Sequence, residues 1–101
     1  MPSKDFRFGI SSDAQGVDLN QLLVAHPVST FFMRLAEDIV ELELRAGDIV
    51  VVDRSLTPKQ NDVVVVSIAD APELQIMRFG RMHSEARLWG TVQHLIRKLK
   101  V

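Results

Sequence analysis

"AGDIVVVDRSLTPKQNDVVVV", residues 46–66, holds two apolar runs separated by a polar stretch that carries a proline. The runs "DIVVVD" (48–53) and "DVVVVSI" (62–68) are rich in β-branched residues, whose stiff side chains suit a pleated strand better than a helix. Turn formers bound them: Gly47 before the first, Pro58 and Asn61 between the two. A strand with one face in water alternates apolar and polar residues, but Ile49 to Val52 and Val63 to Val66 do not alternate. The pattern predicts burial on both faces, within a mostly β domain built on a curled, barrel-like sheet.

Upstream, "TFFMRL" (30–35) reads as a third strand. Downstream, "ELQIMRF" (73–79) alternates better and predicts a half-exposed strand after a turn at Asp70 to Pro72. Asp18 can cap one short helix by accepting from the free N–H groups of its first turn, with Leu19, Leu22 and Leu23 as its apolar face and Pro27 as its stop. Residues 1–17 are mostly polar and aperiodic and read as a flexible N-terminal arm, which leaves 18–101 as the β domain. Two readings stand for the last stretch. Leu88, Trp89, Val92, Leu95, Ile96 and Leu99 fall at helical spacing, whereas Gly90 costs a helix interior about 1 kcal/mol and "WGTV" suits a strand.

With 101 residues the chain is the size of one cooperative core, and 47% hydrophobic against 25% charged residues favours a folded chain over a disordered one. The formal net charge of −1 gives no field that would gather phosphates, so protein partners are expected and direct nucleic-acid specificity is not. The absence of cysteine excludes disulfides, thiolate zinc sites and a cysteine nucleophile. No apolar run approaches the ~20 residues of a membrane span, and the polar start is unlike a signal peptide, so a cytoplasmic location without membrane attachment is expected.

The residues alone offer little chemistry. His26, His83 and His94 lie far apart, with no spacing that suits a metal site. Glu37, Asp38, Glu41 and Glu43 crowd one segment and could imitate an acid–base pair or a hard-cation site, but such clusters are usually solvated faces. Arg97, Lys98 and Lys100 read as a solvated end. The glycines are isolated, so there is no phosphate loop, and no cofactor is expected.

"DLNQLLVAHPVSTFF" (18–32) and "AGDIVVVDRSLTPKQNDVVVV" closely resemble the LexA/UmuD serine-peptidase family, in its UmuD-like branch, with Asn61 where glycine is usual. "RLWGTVQHLIRKLKV" (87–101) is similar to the family's closing strand, with Trp89 in a Phe position, and this favours strand over helix. The resemblance implies the C-terminal-domain fold of that family. Between Arg78 and Trp89 the chain is shorter by the length of a hairpin, which puts the usual substrate cleft in doubt.

Active members carry Ser-Gly-Asp-Ser-Met where this chain reads "AEDIV" (36–40), and the second serine attacks a bond in the protein's own arm. Counted from His26-Pro27 that serine falls at Ile39; counted back from Gly47-Asp48 it falls at Asp38. The family's base is a lysine kept neutral by burial, and alignment on Glu73 puts Met77 in its place. The resemblance thus implies a degenerate dyad, Ile39 and Met77, and no catalytic residue. Ser29, Ser55, Ser67 and Ser84 match no motif that would set a serine against a base.

Family members carry a longer arm that is cut during the DNA-damage response, and this chain resembles the processed, mutagenesis-active form. With no helix-turn-helix ahead of the β domain in this reading, a LexA-type repressor role is not expected. The implied role is a non-catalytic accessory subunit of the SOS response and of error-prone translesion synthesis. It would form a homodimer and bind a Y-family polymerase, with a RecA filament as a second partner. The alternatives are a serine peptidase with an unrecognised nucleophile and a regulatory decoy that heterodimerises with an active relative.

Overall fold

The computed structural model describes residues 16–100. The arm expected over 1–17 lies almost wholly outside them. Asp18 caps helix α1 (Leu19–Leu23), its Oδ1 accepting from the N–H groups of Asn20 at 2.9 Å and Gln21 at 3.4 Å. The helix ends well before Pro27, and its apolar side is left to solvent: Leu19 and Leu22 are exposed.

The remaining elements are β1 (Thr30–Arg34), β2 (Ile49–Asp53), β3 (Val63–Ile68), β4 (Gln75–Arg78) and β5 (Ala86–Ile96). They form a single sheet in the order β1-β2-β5-β3-β4, with every neighbouring pair antiparallel. The two runs that do not alternate, β2 and β3, lie inside the sheet on either side of β5, and Val50, Val51, Val52, Val64, Val65 and Val66 are buried. The prediction from their composition is met. Closure is not: β1 and β4 are open edges, so the sheet is barrel-like in its burial but is not a closed barrel. No helix among the described residues is long and apolar enough to cross a membrane.

The last stretch is a strand, and its helical spacing has a cause in the pairing. Val51 faces His94 and Val52 faces Val92, so Gln93 is an extra residue on β5; Val65 faces Gly90 and Val66 faces Leu88, so Trp89 is another. Each β-bulge adds one residue and shifts the alternation by one position. Val92 and Leu95, three apart across the bulge at Gln93, therefore share one face, while Leu88, Thr91 and His94 share the other, so steps of three like those of a helix occur within a strand. Thr91 between the bulges is paired on both sides, with Asp53 and with Val64.

Val50, Val52 and Val65 form the centre of one face, with Met33, Leu35, Ile76, Trp89 and Val92 packed around them. A short connection, residues 79–85, joins β4 to β5. Phe31, Phe32, Leu88, Leu95 and Ile96, on β1 and β5, stay partly exposed.

Candidate functional site

The segment "AEDIVELELRAGD" (36–48) folds as a tight loop. Ile39 and Leu44 form an isolated antiparallel bridge, Ile39 N–H donating to Leu44 O at 2.9 Å and Leu44 N–H donating back at 3.1 Å. A 3-10 turn, Val40–Leu42, closes it, and Glu43 takes the left-handed conformation at φ 57° to reverse the chain. Asp38 Oδ1 accepts from Ala46 N–H at 2.8 Å, so the alternative nucleophile position is a carboxylate holding the loop's return. Gly47, at φ +90°, makes the final turn into β2, a conformation that favours glycine.

This loop walls a groove of about 700 Å³ over the sheet face. Its apolar surface comes from Met33, Leu35, Ile39, Val50, Val65 and Ile76. Glu37, Asp38, Glu41 and Glu73 bring carboxylates to it, against one cation, Arg34. A second, smaller cavity of about 240 Å³ is lined by Met77, Leu42, Arg78 and Arg81, and has Glu41 and Ile76 in common with the first. Ile39 and Met77 thus stand in the walls of two adjoining cavities and not in one. The reason lies in β4, where Ile76 pairs with Val65 and Met77 with Val64, so the two side chains take opposite faces.

Among the described residues, neither cavity has a serine, threonine, lysine or histidine in its wall. What the groove offers is apolar area and carboxylates, the means to hold an extended apolar and basic segment. No grouping of three or more His, Asp or Glu side chains able to hold a metal occurs among the described residues.

A second cluster escaped the sequence reading. Asp53, the last residue of β2, is fully buried, and its carboxylate accepts four hydrogen bonds. His26 Nδ1 approaches Oδ2 at 2.6 Å, while Oδ1 accepts from Ser29 Oγ at 2.9 Å, Ser55 N–H at 2.8 Å and Ser55 Oγ at 2.6 Å. Burial pushes this carboxyl up, but the donors from Ser55, His26 and Ser29 outweigh it and hold the group well below the usual carboxylate range. The serines and the histidine meet here as in a catalytic triad, with a decisive difference: both hydroxyls donate to the aspartate, so neither is set against the imidazole as a base. The available signal was the acidic end of a fully apolar run, which places a carboxylate at a buried position.

Arg97 is not the solvated end expected of it. Its Nε donates to Asp48 Oδ1 at 2.8 Å, and its Nη2 donates to Asp48 Oδ2 at 2.6 Å and to Glu43 O at 2.9 Å. This bidentate fork ties the end of β5 to the turn before β2. The Arg97 hydrogen bond, with help from Arg45 N–H and against the opposing effect of burial, lowers the Asp48 carboxyl from 3.8 to about 2. A carboxyl depressed in the folded state stabilises above its unfolded value and loses that contribution as pH falls through the folded one. Stability should therefore decline between about pH 4 and pH 2. Thermal melts across this range check it: Asp48→Asn should flatten the profile, and an unchanged slope would remove Asp48 as its source.

Residues 5–90 match the family model described as Peptidase S24-like, and the chain belongs to that family, a UmuD-like member of the LexA/UmuD group. Among its relatives is SamA of Salmonella typhimurium strain LT2, 38% identical over 50 residues, which are 48% of this chain and 36% of that protein. MucA of Escherichia coli is 38% identical over 66 residues, 59% of this chain and 45% of the relative. ImpA of Escherichia coli is 36% identical over 55 residues, 54% and 38% respectively. The matches span less than half the length of each of these relatives.

Proposed function

We propose that this chain is a non-catalytic, UmuD-like accessory subunit of the SOS response, acting in error-prone translesion synthesis by dimerising and binding a Y-family polymerase. The observation that carries the reading is the groove's lining: among the described residues its walls hold no serine, threonine, lysine or histidine. By the family resemblance Ile39 and Met77 stand at the two dyad positions, and neither side chain can exchange a proton. The exposed apolar residues of β1 and β5 support association as the working mode.

Pulldown from DNA-damaged cells tests this directly. Co-purification of a Y-family polymerase is expected, with a RecA filament as a second partner to probe, and a damaged-cell lysate that yields no polymerase sinks the reading. Incubation with a UmuD- or LexA-like arm peptide should leave the peptide intact. Cleavage that disappears on replacing a single serine would instead establish a peptidase with a displaced nucleophile. Native mass spectrometry of a mixture with an active relative separates the decoy role, which requires heterodimers without polymerase binding.

A further inference from the structure

β1 is an open edge of the sheet, and its backbone is partnered on one side only. The N–H of Arg54 donates to Ser29 O at 2.9 Å and the N–H of Leu35 donates to Asp48 O at 2.8 Å, one bond at each end of the strand. Hydrogen-bonded and non-hydrogen-bonded pairs alternate along an antiparallel ladder, so Ser29, Phe31, Met33 and Leu35 direct their backbone groups toward β2. Thr30, Phe32 and Arg34 therefore turn theirs outward. Among the described residues no backbone hydrogen bond outside the ladders involves these three, and no second strand pairs with β1. Open edges are ordinarily protected by a central charge, a proline, a bulge or a cover. β1 has none of the first three: its register with β2 is unbroken, and its central residue is Phe32, 52% exposed, beside Phe31 at 41%.

We propose that β1 pairs antiparallel with β1 of a second copy of this chain, across a two-fold axis at Phe32, joining the two sheets into one. The strand is complementary to itself in this register. Phe32 meets Phe32 of the other copy, Phe31 meets Met33 and Thr30 meets Arg34, so apolar side chains oppose apolar ones and no charge faces its like. All five residues pair, and the outward groups at 30, 32 and 34 exchange bonds; an axis at Phe31 or Met33 leaves two residues of each strand outside the pairing. An extended peptide of another protein could satisfy the same backbone groups. The second copy is favoured because the side chains match in the one register that uses the whole strand. β5, which carries other exposed apolar residues, lies between β2 and β3 and has no free edge to offer. The contact uses the same surface on both copies and closes as a dimer. It rests on the dimerisation proposed above and names its surface.

Sedimentation velocity of the whole chain over a concentration series gives the first measurement. Phe32→Lys sets two ammonium groups on the axis and should weaken the dimer about tenfold or more. Phe32 is exposed and its backbone groups are not used by β2, so the variant should keep the parent's circular dichroism. Because the chain has no cysteine, Phe32→Cys under mild oxidation can link copies only through position 32, where opposed Cα atoms stand about 5.5 Å apart, within disulfide reach. It should cross-link several-fold more readily than Val28→Cys, at a position 97% exposed and off the strand. In a mixture, Thr30→Cys and Arg34→Cys copies should link to each other more readily than either links to itself, which fixes the register. A dimer untouched by Phe32→Lys, or Phe32→Cys yields no higher than those of Val28→Cys, would overturn this inference and leave dimerisation standing. A parent chain that stays monomeric at every concentration would overturn both. Loss of polymerase capture by Phe32→Lys with the dimer intact would assign the edge to the polymerase instead.

Discussion

Replacing Asp53 by alanine should lower stability by about 3 kcal/mol or more. The carboxylate is the common acceptor for His26, Ser29 and Ser55, and it sits at 0% exposure. Its removal deprives two hydroxyls, one backbone N–H and one imidazole of their partner while opening a void beside β1. The register Thr30↔Asp53 places it where the turn after α1 meets the sheet, so the loss should also loosen residues 24–30. Urea titration should show a lower midpoint with an unchanged slope, and hydrogen exchange should accelerate in that turn. Asp53→Asn keeps the volume but turns an amide donor toward groups that already donate, so it should fall between alanine and the parent protein. Parent-like stability for the alanine variant would mean the cluster contributes no net stabilisation.

Gly90→Ala should cost about 2 kcal/mol, through crowding and not through backbone strain. A Cβ at this position would lie 2.5 Å from Val52 Cγ1 and 3.3 Å from Arg54 Cγ. Val52 is fully buried and β-branched, so its methyl cannot swing aside without leaving its rotamer. A double-mutant cycle supplies the check: pairing Gly90→Ala with Val52→Ala should lose clearly less than the sum of the two single changes. Additive losses would show that the crowding is relieved elsewhere.

These two positions mark the limits of what could be read from the chain. β2 and β3 were legible because an unbroken β-branched run between turn formers has few other structures to adopt, and Asp18 was legible because a cap acts on its immediate neighbours. The strand at 86–96 was obscured by its bulges, since Trp89 and Gln93 convert a spacing of two into a spacing of three. The Asp53 and Arg97 clusters join residues 27 and 49 positions apart, and only the strand pairing brings them together. At the groove, the local wall around Ile39 could be placed from the chain, but its position relative to Met77 depends on how β4 presents alternate faces.

Ile39 lies in a loop and Met77 on an edge strand, both outside the β2-β5-β3 centre of the sheet.

The bulge at Trp89 also gives the protein a built-in optical probe. The chain has one tryptophan and no tyrosine, so emission excited near 295 nm comes from a single indole. That ring lies 4.3 Å beneath the Arg54 guanidinium and meets Phe31 edge-on at 5.2 Å between centroids. β1, β5 and the residue that follows β2 thus converge on one fluorophore, and the colour and quenching of its light will report whether β1, β2 and β5 remain in register.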